Sequence, residues 1–274
     1  MSKKRAYEIL FNVIGRMRKP YYQGVAAELA FFFLMSMVPL LIIFGEFLGL
    51  FSISMNIIHD LITQYVSVEV AESLQDYLDY TPSGTFSLIF IVFALWAASK
   101  AQYSMIRIAN YTYTGLNTGR GFIRERVRSI ITVIITILLL GFSLAILVYG
   151  EPLVGVFGLY VEEILEIPFN YNQFWYALRW PFAIAIYFFA ISFINYTLPS
   201  KKLPYKKLLP GSILTSAGML IASWIYSYYA SHFSNYDLLY GSLGTVVGLL
   251  VWFYILGYVM VVGIVLNAAW EETR

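Results

Sequence analysis

Long apolar runs recur along the whole chain and restrict what it can fold into. They cover residues 24–50, 85–106, 129–150, 174–198, 208–233 and 243–268. A helix needs about 20 mostly apolar residues to cross the hydrocarbon core of a bilayer. The runs lack the alternating apolar and polar residues of a membrane-barrel strand. The pattern predicts an all-α polytopic membrane protein with six transmembrane helices.

The composition of the 274-residue chain agrees with lipid as its solvent. Hydrophobic residues make up 59% of the chain and charged residues only 12%, whereas an ordinary soluble domain has about 25% charged residues. The mean hydropathy is +0.70. There is no cysteine, which excludes disulfides, thiolate catalysis and cysteine metal sites.

The charges alternate between consecutive connections and predict the orientation in the membrane. Of the 18 Lys and Arg residues, all but Arg179 lie near the termini, between spans two and three, or between spans four and five. The other connections are acidic and carry Asp60, Glu69, Glu72, Asp76, Asp79, Glu151, Glu162, Glu163, Glu166 and Asp237. By the positive-inside rule, we expect both termini in the cytoplasm and the acidic connections outside.

Residues 1–22 are predicted to form a cytoplasmic amphipathic helix on the membrane surface. Apolar residues recur there at helical spacing between basic ends: Ala6, Ile9, Leu10, Val13, Ile14 and Met17. No apolar core and cleavage site of a secretory signal follows. Anionic lipid headgroups are the expected partners, at about 1 kcal/mol per basic residue. Residues 23–270 are predicted as the six-helix transmembrane domain with outer amphipathic segments, and 271–274 as a cytoplasmic tail.

The first span, which contains AAELAFFFLMSMVPLLIIF, holds an ionisable group and a helix breaker. Glu28 lies about one turn from its cytoplasmic end, where a functional role and pairing with a nearby Arg or Lys are both open. Pro39 is expected to kink the helix near Met35 and Ser36. The Ser36 hydroxyl can bond a carbonyl freed there.

Two further charges lie towards the outer side. Glu46 sits near the outer end of the first span, where solvation at the interface is the alternative to function. Arg179 lies about one turn into the fourth span, before Pro181, and can snorkel, pair with an acid or bind a headgroup. Glu28, Arg179 and Glu46 are therefore the candidates for contacting a substrate headgroup or coupling protons.

Neutral polar and small residues within the spans predict helix packing. Asparagine near the end of a span usually bonds a neighbouring helix, which we expect of Asn110, Asn195 and Asn267. Small residues allow helices to approach closely, as at Gly211, Thr215, Gly218, Gly244 and Gly248.

Signatures of enzymes are poor in this sequence. Its only histidines, His59 and His232, are assigned to the outer side, and no HExxH, GxSxG or P-loop pattern occurs. Besides Glu28, the carboxylates expected in the cytoplasm are Glu8, Glu125, Glu271 and Glu272. We expect no catalytic residues, no cofactor, no metal and no nucleic-acid partner.

Three stretches carry a resemblance to a known family: AAELAFFFLMSMVPLLI (26–42), LWAASKAQYSMIRIANYTY (95–113) and YGSLGTVVGLLVWFYILGYVMVVGIVLNAAW (240–270). Together they resemble the YihY/virulence factor BrkB family of bacterial membrane proteins, historically mislabelled ribonuclease BN. The match runs over about residues 10–270. The resemblance implies a multi-pass protein of the bacterial inner membrane, associated with envelope biogenesis and suspected of transporting lipid-like molecules.

The family pattern also implies a set of polar and packing positions in this chain. They are Ala30, Ser36, Pro39, Trp96, Arg107, Asn110, Tyr240, Gly241, Trp252, Gly263 and Asn267. Glu28 gains no support from the pattern.

Several functions stay open at the level of sequence. The leading hypothesis is a transporter or flippase of a lipid or amphiphile, which moves through a cavity between helices that the kinked first helix lines. The alternatives are a scaffold for envelope enzymes, a small-solute channel or exporter and, last, an enzyme. A homo-oligomer or envelope-protein partners fit each of them.

Overall fold

The computed structural model describes residues 3–50, 84–116, 121–139, 171–232 and 243–273, together with the single positions 141 and 154. Within these ranges the chain is helical and contains no strand. The predicted all-α class is confirmed.

Seven helices make up the described ranges. They are α1 (Lys3–Met17), α2 (Pro20–Leu50), α3 (Gly84–Thr114), α4 (122–139), α5 (Tyr171–Thr197), α6 (Tyr205–His232) and α7 (Gly244–Glu272). Helix α2 begins at Pro20. Proline suits the first position of a helix, because the N–H group that it lacks would have no hydrogen-bond partner within the helix there. The chain therefore turns at residues 18–19, between the surface helix and the first long helix.

Three of the described helices are long and apolar enough to cross a membrane. They contain the segments Gln173–Thr197 in α5, Tyr205–Tyr229 in α6 and Val246–Glu272 in α7. Helices α2 and α3 each run for 31 residues, about 46 Å at 1.5 Å per residue. As expected, α3 continues past Lys100. The count of six spans remains a prediction.

Helix α7 lies at the centre of the bundle. It packs against α1, α2, α3 and α6, while α3 also packs against α2, and α5 against α6. Buried apolar side chains concentrate where α2 and α6 begin and where α3, α5 and α7 end. We call this region, formed by residues 17–32, 99–114, 121–133, 191–216 and 257–272, the basic end, because basic residues surround it. Elsewhere, large apolar side chains point outward, as expected of surfaces that face lipid.

The amphipathic helix α1 is more tightly bound to the bundle than its sequence pattern indicates. Ile9 and Met17 are buried, whereas Leu10 and Ile14 of the same predicted face are exposed. The reason is that α1 packs against α7, where Arg16 pairs with Glu272 at 2.6 Å. The exposed apolar face therefore consists of Tyr7, Leu10, Phe11 and Ile14.

Helices α6 and α7 approach closely at two glycines. A Cβ atom at Gly211 would overlap the carbonyl oxygen of Gly263 and the side chain of Asn267. A Cβ atom at Gly263 would overlap the Thr215 hydroxyl. The expected close approach at these small residues is confirmed, and it brings Asn267 within bonding distance of the α6 backbone.

We expect Gly211→Ala to destabilise the protein by about 1–3 kcal/mol, since an added methyl overpacks this contact. The measurement is the thermal unfolding midpoint of the detergent-purified protein. Gly24→Ala in α2 is the matched control, because nothing lies within 4 Å of the added Cβ. That variant should be neutral or slightly stabilised, by at most about 1 kcal/mol. Equal midpoints for the two variants would contradict the packing analysis.

Candidate functional site

Glu28 and Arg107 form an ion pair between α2 and α3 at the basic end. The other carboxylate oxygen of Glu28 accepts a hydrogen bond from the Ser104 hydroxyl at 2.6 Å. Ser104 and Arg107 are three residues apart and share a face of α3. The side chains of Arg107 and Glu28 are 30% and 32% exposed, so the pair lies at the boundary between the core and its surroundings. Of the two readings of Glu28, pairing with a basic residue is the one that the structure shows.

An aromatic surface adjoins this ion pair along the same two helices. The Trp96 ring on α3 lies edge-on to Phe32 of α2 at 6.5 Å and beside Phe93 at 5.9 Å. Phe31 contacts Phe32 at 5.3 Å. The Lys100 ammonium group lies 5.6 Å from the centre of the Trp96 ring, within the range of a cation–π interaction.

These residues form one continuous surface. On α3, aromatic and polar residues recur every three or four positions, which places them on one face; on α2, positions 28, 31, 32 and 35 do the same. We call this surface the α2–α3 stripe and define it by Glu28, Phe31, Phe32, Met35, Phe93, Trp96, Lys100, Ser104 and Arg107. Trp96 is 47% exposed and Phe31 52% exposed, so the aromatic part of the stripe is open to its surroundings.

A buried carboxyl group joins three segments of the basic end. Glu125 on α4 is 0% exposed. One of its oxygens accepts hydrogen bonds from Asn110 of α3 and from the Ser200 hydroxyl, both at 2.9 Å. The Ser200 backbone N–H donates to the Asn110 side-chain oxygen at 2.8 Å. This network fixes α4 and the α5–α6 connection against the end of α3.

Arg128, one turn further along α4 than Glu125, binds the chain just beyond the end of α5. Its guanidinium donates to the backbone carbonyls of Leu198 at 2.8 Å and Pro199 at 3.4 Å. Basic side chains commonly satisfy the last carbonyls of a helix in this way. Sequence reasoning gave neither Glu125 nor Arg128 a role; the available signal was one acidic residue within an otherwise basic segment, RERVR.

The other two asparagines also join helices, as the sequence predicts. Asn267 of α7 accepts a hydrogen bond from the Gly211 backbone N–H at 2.6 Å. Asn195 of α5 donates to the Ser212 hydroxyl of α6 at 3.1 Å. Together with Asn110, all three asparagines bond a neighbouring element.

The remaining positions implied by the family pattern pack rather than form a site. Trp252 donates to the Ser223 hydroxyl at 3.2 Å and so links α7 to α6. Ala30 is buried. The Ser36 hydroxyl donates to the Phe33 carbonyl at 3.0 Å. Helical serines commonly bond a carbonyl three or four residues earlier in this way, and the role expected of Ser36 at the Pro39 kink remains a prediction.

Arg179 lies on α5, whose main packing partner is α6. It lies 18 residues before the end of α5, about 27 Å along the helix axis. Its guanidinium is 6.0 Å from the centre of the neighbouring Trp180 ring. The side chains of Pro39 and Glu46, and all of Tyr240 and Gly241, lie outside the described residues. The kink at Pro39 and the role of Glu46 remain predictions.

Metal-binding groups do not come together in the part of the chain that the structure describes. No three His, Asp or Glu side chains there are arranged to hold an ion. The carboxylates of the basic end are instead held by cations or amides, as in the pair between Lys207 and Glu271. The expectation of a site without metal or cofactor remains a prediction.

We expect Glu125→Ala to destabilise the protein by about 2–3 kcal/mol, because Asn110 and Ser200 lose a buried acceptor. The check is again the thermal unfolding midpoint in detergent. Glu8→Ala is the matched control, because it truncates a carboxylate that is exposed to solvent on α1. It should change the free energy of unfolding by no more than about 0.5 kcal/mol. Similar midpoints for both variants would show that the Glu125 network contributes nothing.

Comparison with known proteins relates the sequence of this chain to a family. The family model described as Virulence factor BrkB matches residues 13–274. The chain is similar to the putative ribonuclease-like protein YfkH of Bacillus subtilis, with 28% identity over 92% of this chain and 91% of that protein. It is also similar to a UPF0761 membrane protein of Vibrio campbellii, with 24% identity over 95% of this chain and 81% of that protein. No solved structure matches it significantly. The resemblance seen in three sequence stretches is confirmed, and the chain is a membrane protein that belongs to the virulence factor BrkB family.

Proposed function

We propose that this protein moves a lipid or another amphiphile across the bacterial inner membrane and contributes in this way to envelope biogenesis. The observation that carries the proposal is the α2–α3 stripe, which joins an open aromatic surface to a half-buried ion pair. An amphiphile has the same two parts, an apolar chain and a polar headgroup. The stripe offers a surface for each of them.

The dimensions of the stripe suit a molecule that lies along the membrane normal. From Phe93 to Arg107 it extends over 14 residues of α3, about 21 Å, against a hydrocarbon core of about 30 Å. Its aromatic part would contact the apolar chain within the core. Its polar part would meet the headgroup at the interface, where long basic side chains normally extend.

The orientation in this proposal follows the distribution of charge. The basic end faces the cytoplasm, because basic connections remain on that side. The headgroup is therefore received from or delivered to the cytoplasmic leaflet, beside Glu28 and Arg107. Ribonuclease activity is not part of the proposal. Among the described carboxylates, Glu125, Glu271 and Glu272 are bonded to amide, hydroxyl or basic groups, Glu28 pairs with Arg107, and Glu8 is exposed on α1.

A non-transporting scaffold is the second candidate, and one observation favours it. Helix α1 presents the exposed apolar residues Tyr7, Leu10, Phe11 and Ile14 while its opposite side is fixed to α7. Such a face can hold the protein on the leaflet or receive an envelope partner. A scaffold would co-purify with a stoichiometric partner and would leave lipid movement at the rate of empty vesicles.

Transport is tested with purified protein in liposomes that contain a trace of fluorescent phospholipid. The rate at which label becomes accessible to a membrane-impermeant quencher measures transbilayer movement. We expect movement above that of protein-free vesicles, and a reduction of about tenfold in Trp96→Ala if the ring contributes about 1.4 kcal/mol to chain binding.

Trp224→Ala is the matched control for this experiment. Trp224 is 72% exposed on α6, outside the stripe, and its removal should leave the rate unchanged. A wild-type rate equal to that of empty vesicles would refute the transport proposal. Equal losses of rate in Trp96→Ala and Trp224→Ala would show that the stripe has no special part in transport.

A further inference from the structure

The polar part of the α2–α3 stripe points to a class of headgroup. We infer that Arg107, with Lys100, binds an anionic phosphate group of the amphiphile in exchange for the carboxylate of Glu28. This inference rests on the proposed function, because it names the substrate class of the same surface.

The charge of the polar part favours an anion. On the stripe, Lys100 and Arg107 provide two positive charges and Glu28 provides one negative charge. The two basic residues lie seven positions apart on α3, which is two helical turns, about 10.5 Å along the axis. The Ser104 hydroxyl, an additional hydrogen-bond donor, bonds the same carboxylate as Arg107, while the Lys100 ammonium lies beside the Trp96 ring. An anionic headgroup would leave this region neutral.

The guanidinium of Arg107 favours phosphate among the anions. Arginine presents a planar fork of donors that matches a phosphate group with two parallel hydrogen bonds. Glu28 uses one terminal nitrogen of this fork. The buried Nε atom of Arg107 has no hydrogen-bond partner among the described residues. A phosphate group can reach the two terminal nitrogens of the guanidinium, of which Glu28 uses one, while the buried Nε atom stays out of its reach.

Glu28 acts as an internal substitute for the ligand. Its carboxylate already receives the bonds of Arg107 and Ser104, which are the bonds that a phosphate oxygen would accept. The pair is about one-third exposed, so a headgroup can reach it from the interface without opening the core. Binding would release the Glu28 carboxylate to water.

The inference predicts opposite effects for the two members of one ion pair. Glu28→Gln removes the competing anion and should strengthen binding of the anionic headgroup several-fold. Arg107→Gln removes the donor fork and should weaken it by about tenfold or more. An ion pair with a purely structural role would give losses in both variants.

Binding is measured by calorimetric titration of the detergent-purified protein with short-chain phosphatidylglycerol. Short-chain phosphatidylcholine and glycerol phosphate are titrated in parallel, to separate headgroup charge and free phosphate from the intact amphiphile. We expect phosphatidylglycerol to bind more tightly than either. Equal affinity for phosphatidylcholine would overturn the anionic preference, and equal affinity for glycerol phosphate would overturn the assignment to an amphiphile.

Arg16→Gln and Glu272→Gln are the matched controls. They break another ion pair of the same protein, between α1 and α7, and should leave the affinity unchanged. Arg107→Lys keeps the charge but lacks the fork, so it should bind more weakly than wild type and more tightly than Arg107→Gln. It also provides the test if the glutamine variant does not fold. Unchanged affinity in Arg107→Lys, or loss of affinity in Glu28→Gln, would refute the inference.

The two proposals can fail separately. Tight, selective binding without transbilayer movement would refute transport and leave the headgroup assignment intact. Movement of phosphatidylglycerol and phosphatidylcholine at equal rates, unaffected by Glu28→Gln and Arg107→Gln, would refute the headgroup assignment and leave transport intact.

Discussion

Polar groups buried inside the helix bundle must find their hydrogen-bond partners within the protein, and this constraint organises the basic end. Each buried asparagine there joins two elements of the chain. The Gly211 backbone, for example, can donate to Asn267 only because glycine lets α6 and α7 approach so closely. Because these groups are buried and would cost several kcal/mol each if left unpaired, the ends of the helices are held in one arrangement.

The ion pair of the stripe differs from this fixed network in its exposure. Asn110, Glu125 and Asn267 are at most 2% exposed, so removing a partner from any of them leaves a buried polar group unsatisfied. Glu28 and Arg107 retain contact with their surroundings through about a third of their side chains. They can change partners at a lower cost, because water or a headgroup can replace each bond. The basic end thus combines a rigid support with one exchangeable contact.

The sequence predicted those parts of the fold that depend on local composition. Apolar runs predict both ends of α2, α5, α6 and α7 to within four residues, whereas α3 ends eight residues later and α4 begins seven residues earlier than its run. As expected, α3 continues past Lys100. The asparagines were expected to bond neighbouring helices, and they do. The three stretches that resemble the family were also sufficient to identify it. Each of these features depends on local sequence.

The features that the sequence did not predict depend on distant segments. Glu28 and Arg107 are 79 positions apart, and no local pattern identifies one as the partner of the other. Glu125 becomes buried only where α3, α4 and the α5–α6 connection meet. Helix α1 reads as a free surface helix, yet half of its apolar face is covered by the bundle. Tertiary packing, rather than amphipathicity, decides which side of α1 remains exposed.

The exchange proposed at Arg107 has an energetic basis in the arrangement of the stripe. An arginine that leaves water for this boundary has already lost part of its hydration, and Glu28 offsets that cost by pairing with it. A phosphate that replaces Glu28 substitutes one anion for another. The guanidinium therefore loses no further hydration when the phosphate binds. The apolar chain then adds about 25 cal/mol for each Å² that it buries against Phe31 and Trp96. The chain can therefore supply affinity while the headgroup exchange supplies selectivity, which is the division expected of a surface that must both bind and release an amphiphile.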